Sequence, residues 1–572
     1  MTRFSCLSAS GLMALVAVIT LAPATVTGQS YRPVTDERLT SPEPENWLSY
    51  RGTYSGWGYS PLDQIDASNV QDLSPAWAFS TNTTGGHESP PIVNDGVMFI
   101  TTPGNQLFAL DARNGDLLWR YQHDMPSDVI GFHNTNRGVA LFGDKVYMAT
   151  LDARVVALDA GTGEVVWDMS VADNSEGYYM TLAPLAARGK VMVGVSGGEL
   201  GIRGFVVALD TETGEEVWRT HTVPGPGEPG NDTWPPDAWR TGGAPVWVSG
   251  HYDPDLGLTY WGTGNPGPWI GDQRPGDNLY SNSVIALAID TGELVSYHQY
   301  HWNGSWDWDE VSTPLLIDVE RDGRTIKGLV HPARSGYLWI LEREAEAIRF
   351  VEAQPFVSQN VFTSIDPVTG RPTYDEARKP GTGRRAEFCP SLWGGKDWPP
   401  AAYNPNTGFL YIPANENLCS ASTGVEDIEY VPGRPFTGAQ TEFMVVPGAD
   451  HIGELQAWDL NSGERVWTQE FDAANWGPVL TTGGGLVFSG GTSDRYFRAF
   501  DARTGEVLWE QRTNSGIIGV PSTYVVNGVQ YVAVQSGWGV DASSMARRIS
   551  LERGTNEFVP QGGVVWVFAL DQ

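Results

Sequence analysis

The stretches ALDARNGDLLW (109–119), ALDAGTGEVVW (157–167), ALDTETGEEVW (208–218), AWDLNSGERVW (457–467) and AFDARTGEVLW (499–509) are five copies of one pattern, Ala-x-Asp-x-x-(Thr/Ser/Asn)-Gly-(Glu/Asp)-x-x-Trp. A degenerate sixth copy begins at Ala286 and has Ser296 in place of the tryptophan. Apolar residues alternate up to the aspartate, glycine supplies a positive φ, and apolar residues resume toward the tryptophan, which predicts a β-hairpin. The aspartate can accept turn N–H groups, and the indole offers a flat face on which a neighbouring repeat can stack. Intervals of roughly forty to fifty residues match one four-stranded propeller blade, with longer intervals holding inserted loops. The expected fold is all-β, an eight-bladed β-propeller with tryptophan-docking repeats. The last strand-like segment, GVVWVFAL (563–570), is expected to pair near Trp47–Arg51 and close the ring, since closure removes exposed sheet edges.

Composition agrees with short strands and turns: of 572 residues, 23 are Trp and 67 Gly, and only 18% are charged. Arg3, the apolar run Leu12–Ala22 and the small residues Ala24–Gly28 read as a secretory signal, so residues 1–28 are expected to be removed and 29–572 to form one exported, periplasmic domain. No other stretch approaches eighteen apolar residues, so no membrane span is expected. Cys6 falls within the signal, leaving Cys389 and Cys419 in an oxidising compartment. A disulfide is the expected outcome and two buried thiols the alternative. Cys-x-x-Cys-His does not occur, so the chain carries no c-type haem of its own and electrons must leave through a separate partner. A net charge of -32 argues against nucleic acid or an anionic membrane and favours a basic protein partner, although acidity also serves solubility.

Six segments stand apart from the repeats: GGHESPP (85–91), TNRG (135–138), VSGGELGIRG (195–204), GTGNPGPW (262–269), GSWDWDE (304–310) and HPARSG (331–336). Glu199, Asn265, Asp307 and Asp309 offer oxygen ligands only, three carboxylates and one amide, which suits a hard cation. With the repeats, these segments resemble the quinoprotein alcohol dehydrogenases of the methanol and ethanol dehydrogenase type over nearly the whole mature chain. The resemblance implies a metal-assisted oxidation of an alcohol by pyrroloquinoline quinone, with a soluble cytochrome c as acceptor. It assigns Glu199, Asn265 and Asp307 as metal ligands. Asp309 is the additional carboxylate that marks the lanthanide-dependent members, because a trivalent ion of nearly calcium's size favours one more anionic oxygen. A lanthanide is therefore expected rather than Ca²⁺.

By the same resemblance Asp307 is the general base and Arg334 the cation beside the quinone oxygens. Trp247 is the floor of the cofactor pocket, and Glu88, Arg137, Thr181, Ser196, Gly197 and Gly198 meet its polar edge. Trp476 matches a segment at the quinone edge. Asn415 in PANENLC matches an amide there only with a one-residue insertion, and Cys389 and Cys419 match a bridge found in some members. Two departures stand out. Gly131 and Phe132 occupy the places of two adjacent cysteines that form a disulfide above the cofactor, leaving Phe132 or His133 to cover it. Pro245 replaces a small polar residue. The loops 224–243 and 425–443 frame the entrance, so substrate size stays open and bulky, sugar or polymeric alcohols are an alternative. A non-catalytic propeller scaffold of the cell envelope is the alternative of another class, and the oligomeric state, a homodimer included, is open.

Overall fold

The computed structural model describes residues 1–2, 31–555 and 558–571. The expected signal segment lies outside the described residues. From Tyr31 the chain forms one compact unit. Among the described residues its strands group into seven four-stranded sheets and one five-stranded sheet, all antiparallel within each run of four. The sheets span residues 92–122, 139–170, 185–221, 251–299, 315–355, 402–471, 480–512 and 522–570. Tyr59–Ser60 adds in parallel to the seventh, and Leu73–Ser80 is the outer strand of the eighth. In most of these sheets the first strand is buried throughout or nearly so, as at Ile92–Asn94 and Leu185–Ala187, whereas the outer strand is largely exposed, as at Leu117–Gln122. Buried strands therefore lie inside and amphipathic strands outside.

The repeats form the expected hairpins, each with a bulge after the alanine, for example between Ala109 and Leu110. Asp159 Oδ1 accepts from the backbone N–H groups of Gly161 and Thr162 at 3.1 and 2.8 Å, and Asp501 caps its own turn likewise. The tryptophans join one sheet to the next. Trp119 Nε1 donates to Ala160 O at 3.1 Å, Trp167 to Thr211 O at 3.0 Å, Trp218 to Ile289 O at 2.9 Å and Trp467 to Ala502 O at 3.2 Å. The turn glycine of the receiving sheet lies under the indole: a Cβ on Gly163, at φ +75°, would stand 2.6 Å from Trp119. Glycine is thus required twice, for backbone conformation and for ring approach. The degenerate repeat still forms its hairpin, Ser283–Ala288 with Leu294–Gln299. Ser296 cannot dock, and His298 and Phe350 instead cover Gly370 in IDPVTG (365–370), a turn of the same kind that lacks the repeat's alanine and tryptophan.

Ring closure differs from expectation. Val564–Leu570 pairs with Leu73–Ser80 and with Val529–Ser536, not with residues 47–51. Leu73–Ser80 has the alternation of an outer strand, with Pro75 at a bulge where an edge tolerates it, while the segment at 47–51 is mostly turn and Trp47 bridges Val93. Trp509 then docks on Leu73 O at 2.9 Å, carrying the tryptophan chain across the closure. Cys389 and Cys419 are disulfide-bonded, with Cα atoms 4.4 Å apart. The bond ties Leu418–Gly424 to the strand Arg385–Phe388 in a three-stranded sheet outside the ring of larger sheets. Of the two α-helices among the described residues, α1 (Asp36–Thr40) is one turn and α2 (Val540–Arg553) follows the eighth sheet's second strand. No helix among the described residues is long and apolar enough to cross a membrane.

Gly163→Ala should cost about 2 kcal/mol or more in urea unfolding, since the added methyl meets both the left-handed backbone and the Trp119 ring. A change within 0.5 kcal/mol, as ordinary surface substitutions give, would show that the docking glycines are dispensable.

Candidate active site

In an antiparallel sheet the start of the first strand and the end of the second lie at the same edge. Each segment singled out in the sequence sits at one of these positions. Glu88, Arg137, Thr181, Trp247 and Asp307 precede first strands, and Ser196, Glu199, Asn265 and Arg334 follow second strands. They therefore gather at one end of the ring. Arg137, Thr181, Ser196, Gly197, Glu199, Trp247, Asp307, Asp309 and Arg334 line a single cavity.

The WDWDE loop shows how the carboxylates are aimed. Its residues alternate, so Trp306 and Trp308 turn inward and stack at 5.2 Å, anchored by indole bonds to Arg378 O and Ser391 O at 2.8 Å each. Asp307 and Asp309 then face the cavity. Asp307 has φ +61°, a left-handed conformation that aspartate tolerates, and Arg334 Nη1 donates to its carbonyl at 2.9 Å. Asp309 Oδ2 accepts from Trp247 Nε1 at 2.8 Å, and its Oδ1 accepts from the Asn265 backbone N–H. Pro245 wedges between the two glycine motifs: a Cβ on Gly198 or on Gly264 would come within 2.9 or 2.8 Å of its ring, and one on Gly264 would also strike Asp309. The proline that departs from expectation is thus the spacer that sets the Glu199 loop against the Asn265 loop.

These acids repel one another. Burial, then Asp309, pushes the Asp307 carboxyl well above its ordinary range, against the pull of Arg334. Burial and Asp309 raise Glu199 in the same way. The Asn265 amide oxygen faces Asp309 Oδ1, and turning the amide over would let it donate to Asp309 and accept from Trp269 Nε1 at 2.8 Å. Three crowded carboxylates and an amide oxygen fit a hard, multiply charged cation.

The opposite wall fits a flat polyanion. Arg137 lies 4.9 Å above the Trp247 ring and 4.7 Å from that of Trp398, donates to Thr181 Oγ1 at 2.6 Å and pairs with Glu88 at 2.9 Å. Thr181 and Ser196 hydroxyls are 3.2 Å apart. Arg334 pairs with Asp397 at 2.8 Å; burial works against its charge, but Asp397, Asp309 and Asp307 hold it protonated. Together these supply an aromatic plate, two fixed guanidinium groups and paired hydroxyls for a planar tricarboxylate.

Not every expected residue lines the cavity: Asn265 and Gly198 stand just behind its lining, Asn265 reaching it through its backbone bond to Asp309. Glu88 stands behind Arg137. Asn415 is turned away: its amide donates to Asn475 O at 3.1 Å and accepts from Asn475 N at 2.8 Å, which fixes the residue before Trp476. Trp476 is buried against α2, its indole 3.3 Å from Met545 Sδ. The sequence reading missed Asp397, in the segment GGKDWPP (394–400), whose glycines and tryptophan resemble those of the other site segments. It also missed Trp393 and Asp541, the latter contributed by α2 and carrying no sequence signal. His133, not Phe132, borders the cavity where the adjacent cysteines are absent, and it lies 3.6 Å from Asp541. In the loop 425–443, Phe436 N donates to Glu199 O at 2.7 Å, so this insertion braces the Glu199 loop.

Comparison with known proteins agrees with the geometry. The model of the glucose/ethanol/alcohol dehydrogenase β-propeller domain, named for PQQ, matches residues 47–364 and 452–532. The quinoprotein alcohol dehydrogenase PedH of Pseudomonas putida is 38% identical, over 96% of both chains. The chain belongs to the PQQ-dependent quinoprotein alcohol dehydrogenases. A lanthanide-dependent methanol dehydrogenase of Methylacidiphilum fumariolicum is 37% identical, over 92% of this chain and 93% of that protein. A europium-containing methanol dehydrogenase superposes with a TM-score of 0.87 at 36% identity, over 93% of this chain and 99% of that one. The protein is accordingly a β-propeller oxidoreductase acting on alcohols, which sets aside the scaffold alternative.

One anchor of this quinoprotein's site went unread in the sequence. Glu310, fully buried, accepts from His331 Nε2 at 2.9 Å and from the backbone N–H groups of Arg334 and Ser335 at 3.1 and 3.3 Å. It ties the aspartate loop to the arginine loop. Burial alone would raise its carboxyl, but the bonds from His301 and His331 outweigh it and hold the group well below the usual range. Glu310→Ala should cost about 3–5 kcal/mol in urea unfolding at pH 7. A carboxyl depressed on folding stabilises above its unfolded value near ~4.3 and loses that contribution as pH falls toward the folded value. The gap between wild type and variant should therefore narrow in acid, and a small, pH-independent gap would refute this role.

Proposed function

We propose that the protein is a periplasmic alcohol dehydrogenase that prefers a lanthanide ion, uses Asp307 as base and passes electrons to a soluble cytochrome c. The observation that carries this reading is the convergence of Glu199, Asp307 and Asp309 on one cavity, with Asp309 fixed by the Trp247 indole and by the backbone N–H of Asn265, whose motif stands directly behind it. Asp309 is held toward the other acids although no cationic group among the described residues forms an ion pair with it, which a trivalent ion would reward more than a divalent one. The eight large sheets are read as eight blades.

When bound, pyrroloquinoline quinone would supply the two-electron acceptor, and a cation held by Glu199, Asn265, Asp307 and Asp309 would supply Lewis-acid polarisation. Trp247 supports the cofactor plane, while Arg137, Thr181 and Ser196 receive its carboxylates. Arg334 sets the Asp307 backbone and presents a fixed positive charge where negative charge develops. Asp307 takes the proton from the substrate hydroxyl as hydride leaves the carbinol carbon. Asp397 keeps Arg334 in place through its 2.8 Å ion pair. Electrons depart to a separate protein, because no haem-binding motif occurs in the sequence, and the acidic surface favours a basic cytochrome.

Purified protein reconstituted with the quinone should oxidise alcohols in a dye-linked assay at least tenfold faster with La³⁺ than with Ca²⁺, and Asp309→Ala should abolish the La³⁺ advantage. A series from short to bulky alcohols in the same assay tests substrate size. Equal rates with both metals, unchanged in Asp309→Ala, would reduce Asp309 to a loop acid.

A further inference from the structure

Away from the catalytic cavity, one buried guanidinium has been left without a counter-charge. Arg51 is 2% exposed, and only its Nη2 is engaged, donating to Ala401 O and Val479 O at 2.8 Å each. Its Nε and Nη1 have no partner. The contrast with Arg274 is instructive. That arginine is equally buried, but its nitrogens reach the carbonyls of Pro268, Trp269 and Gly304 and the Asn278 amide. Burying a guanidinium without such partners is unfavourable unless something else supplies acceptors.

The backbone is shaped around Arg51. Gly58 has φ +61°, and a Cβ there would fall 1.8 Å from Nη2, while one on Gly56 would fall 2.1 Å from the His251 ring. Arg51 borders two small cavities of about 30 Å³ each, and Tyr50, Ser249 and His251 line both with it. The Tyr50 hydroxyl is buried and also unpartnered. Lys396, 2% exposed, lines the second cavity and uses its ammonium on Ser312 Oγ at 3.0 Å and Asp397 O at 2.8 Å, leaving one of three N–H groups. Neither cavity shares a lining residue with the catalytic one. Burial draws Arg51 down to about 10 and Lys396 to about 7, as expected where cations lack compensation.

We propose that Arg51 anchors a second ligand site, in which a small monoanion, a halide or a formate-sized carboxylate, accepts hydrogen bonds from Nε and Nη1 beside the Tyr50 hydroxyl. Cavities of this size beside Arg51 match one small anion better than a phosphate. The anion completes the coordination of a guanidinium that otherwise meets only two carbonyls.

Crystals of the holoenzyme soaked in sodium bromide should show an anomalous peak within hydrogen-bonding reach of Arg51. In solution, chloride and formate are titrated separately at constant ionic strength against a bulky sulfonate, with Tm as readout. Saturable stabilisation by chloride, by formate or by both supports the site and names its occupant. The rise should reach roughly 2 °C at a hundredfold excess over Kd. Tyr50→Phe should weaken the ion dependence and Arg51→Met remove it; if Arg51→Met does not fold, Tyr50→Phe and the bromide map still decide. Water alone at Arg51, with identical Tm curves for chloride, formate and sulfonate, would overturn the proposal.

Discussion

Like charges confined to one buried space repel, and Glu199, Asp307 and Asp309 are confined in this way by the protein around them. Two unit charges 4 Å apart interact by about 4 kcal/mol at an effective dielectric of 20, so a cluster of three cannot persist as anions without opposition. The surroundings supply restraint rather than neutralisation. Stacked tryptophans pin the aspartate loop, the Trp247 indole holds Asp309, Glu310 ties that loop to Arg334, and Pro245 sets the spacing of the glycine loops. Groups so strained in isolation become well matched once a multiply charged cation sits among them.

The fold makes this confinement affordable because its stability is generated elsewhere. Each docking tryptophan closes a contact between neighbouring sheets at the outer strands, not at the strand ends that carry the site loops. The ring is completed by an early strand joining the last sheet, so the inner strand ends that carry the site are fixed from every side. Loops at those ends can therefore carry unfavourable electrostatics without the ring opening. Helix α2 adds a local cover: Met545 packs on Trp476, and Asp541 meets His133 at the rim where the adjacent cysteines of the resembling family are absent.

Much of this was legible in the sequence because it rests on short motifs with a local physical cause. The hairpin repeat was readable from aspartate, glycine and tryptophan at fixed offsets, and the glycine beneath each indole explains why that offset is kept. The clustering of Glu199, Asp307 and Asp309 was readable because they sit in distinctive glycine- and tryptophan-rich segments. What escaped was long-range. The closing strand was misplaced because Leu73–Ser80 carries a proline that masks its pattern. Asn415 was placed at the quinone edge although its amide is spent on Asn475. Asp541 and the His133 rim depend on where α2 lands, and Glu310 reads as one more acid until its three buried donors are seen.

Terbium luminescence tests the central claim directly, because the ion would sit beside Trp247, whose indole bonds Asp309 and can sensitise its emission. Titrating the protein with Tb³⁺, with Ca²⁺ as competitor, should give one saturable site per chain that excess Ca²⁺ displaces poorly. Its emission should fall in Trp247→Phe, and binding should be lost in Glu199→Gln combined with Asp309→Ala. Binding unaffected by removal of those two carboxylates would contradict the account that their crowding exists to hold a cation.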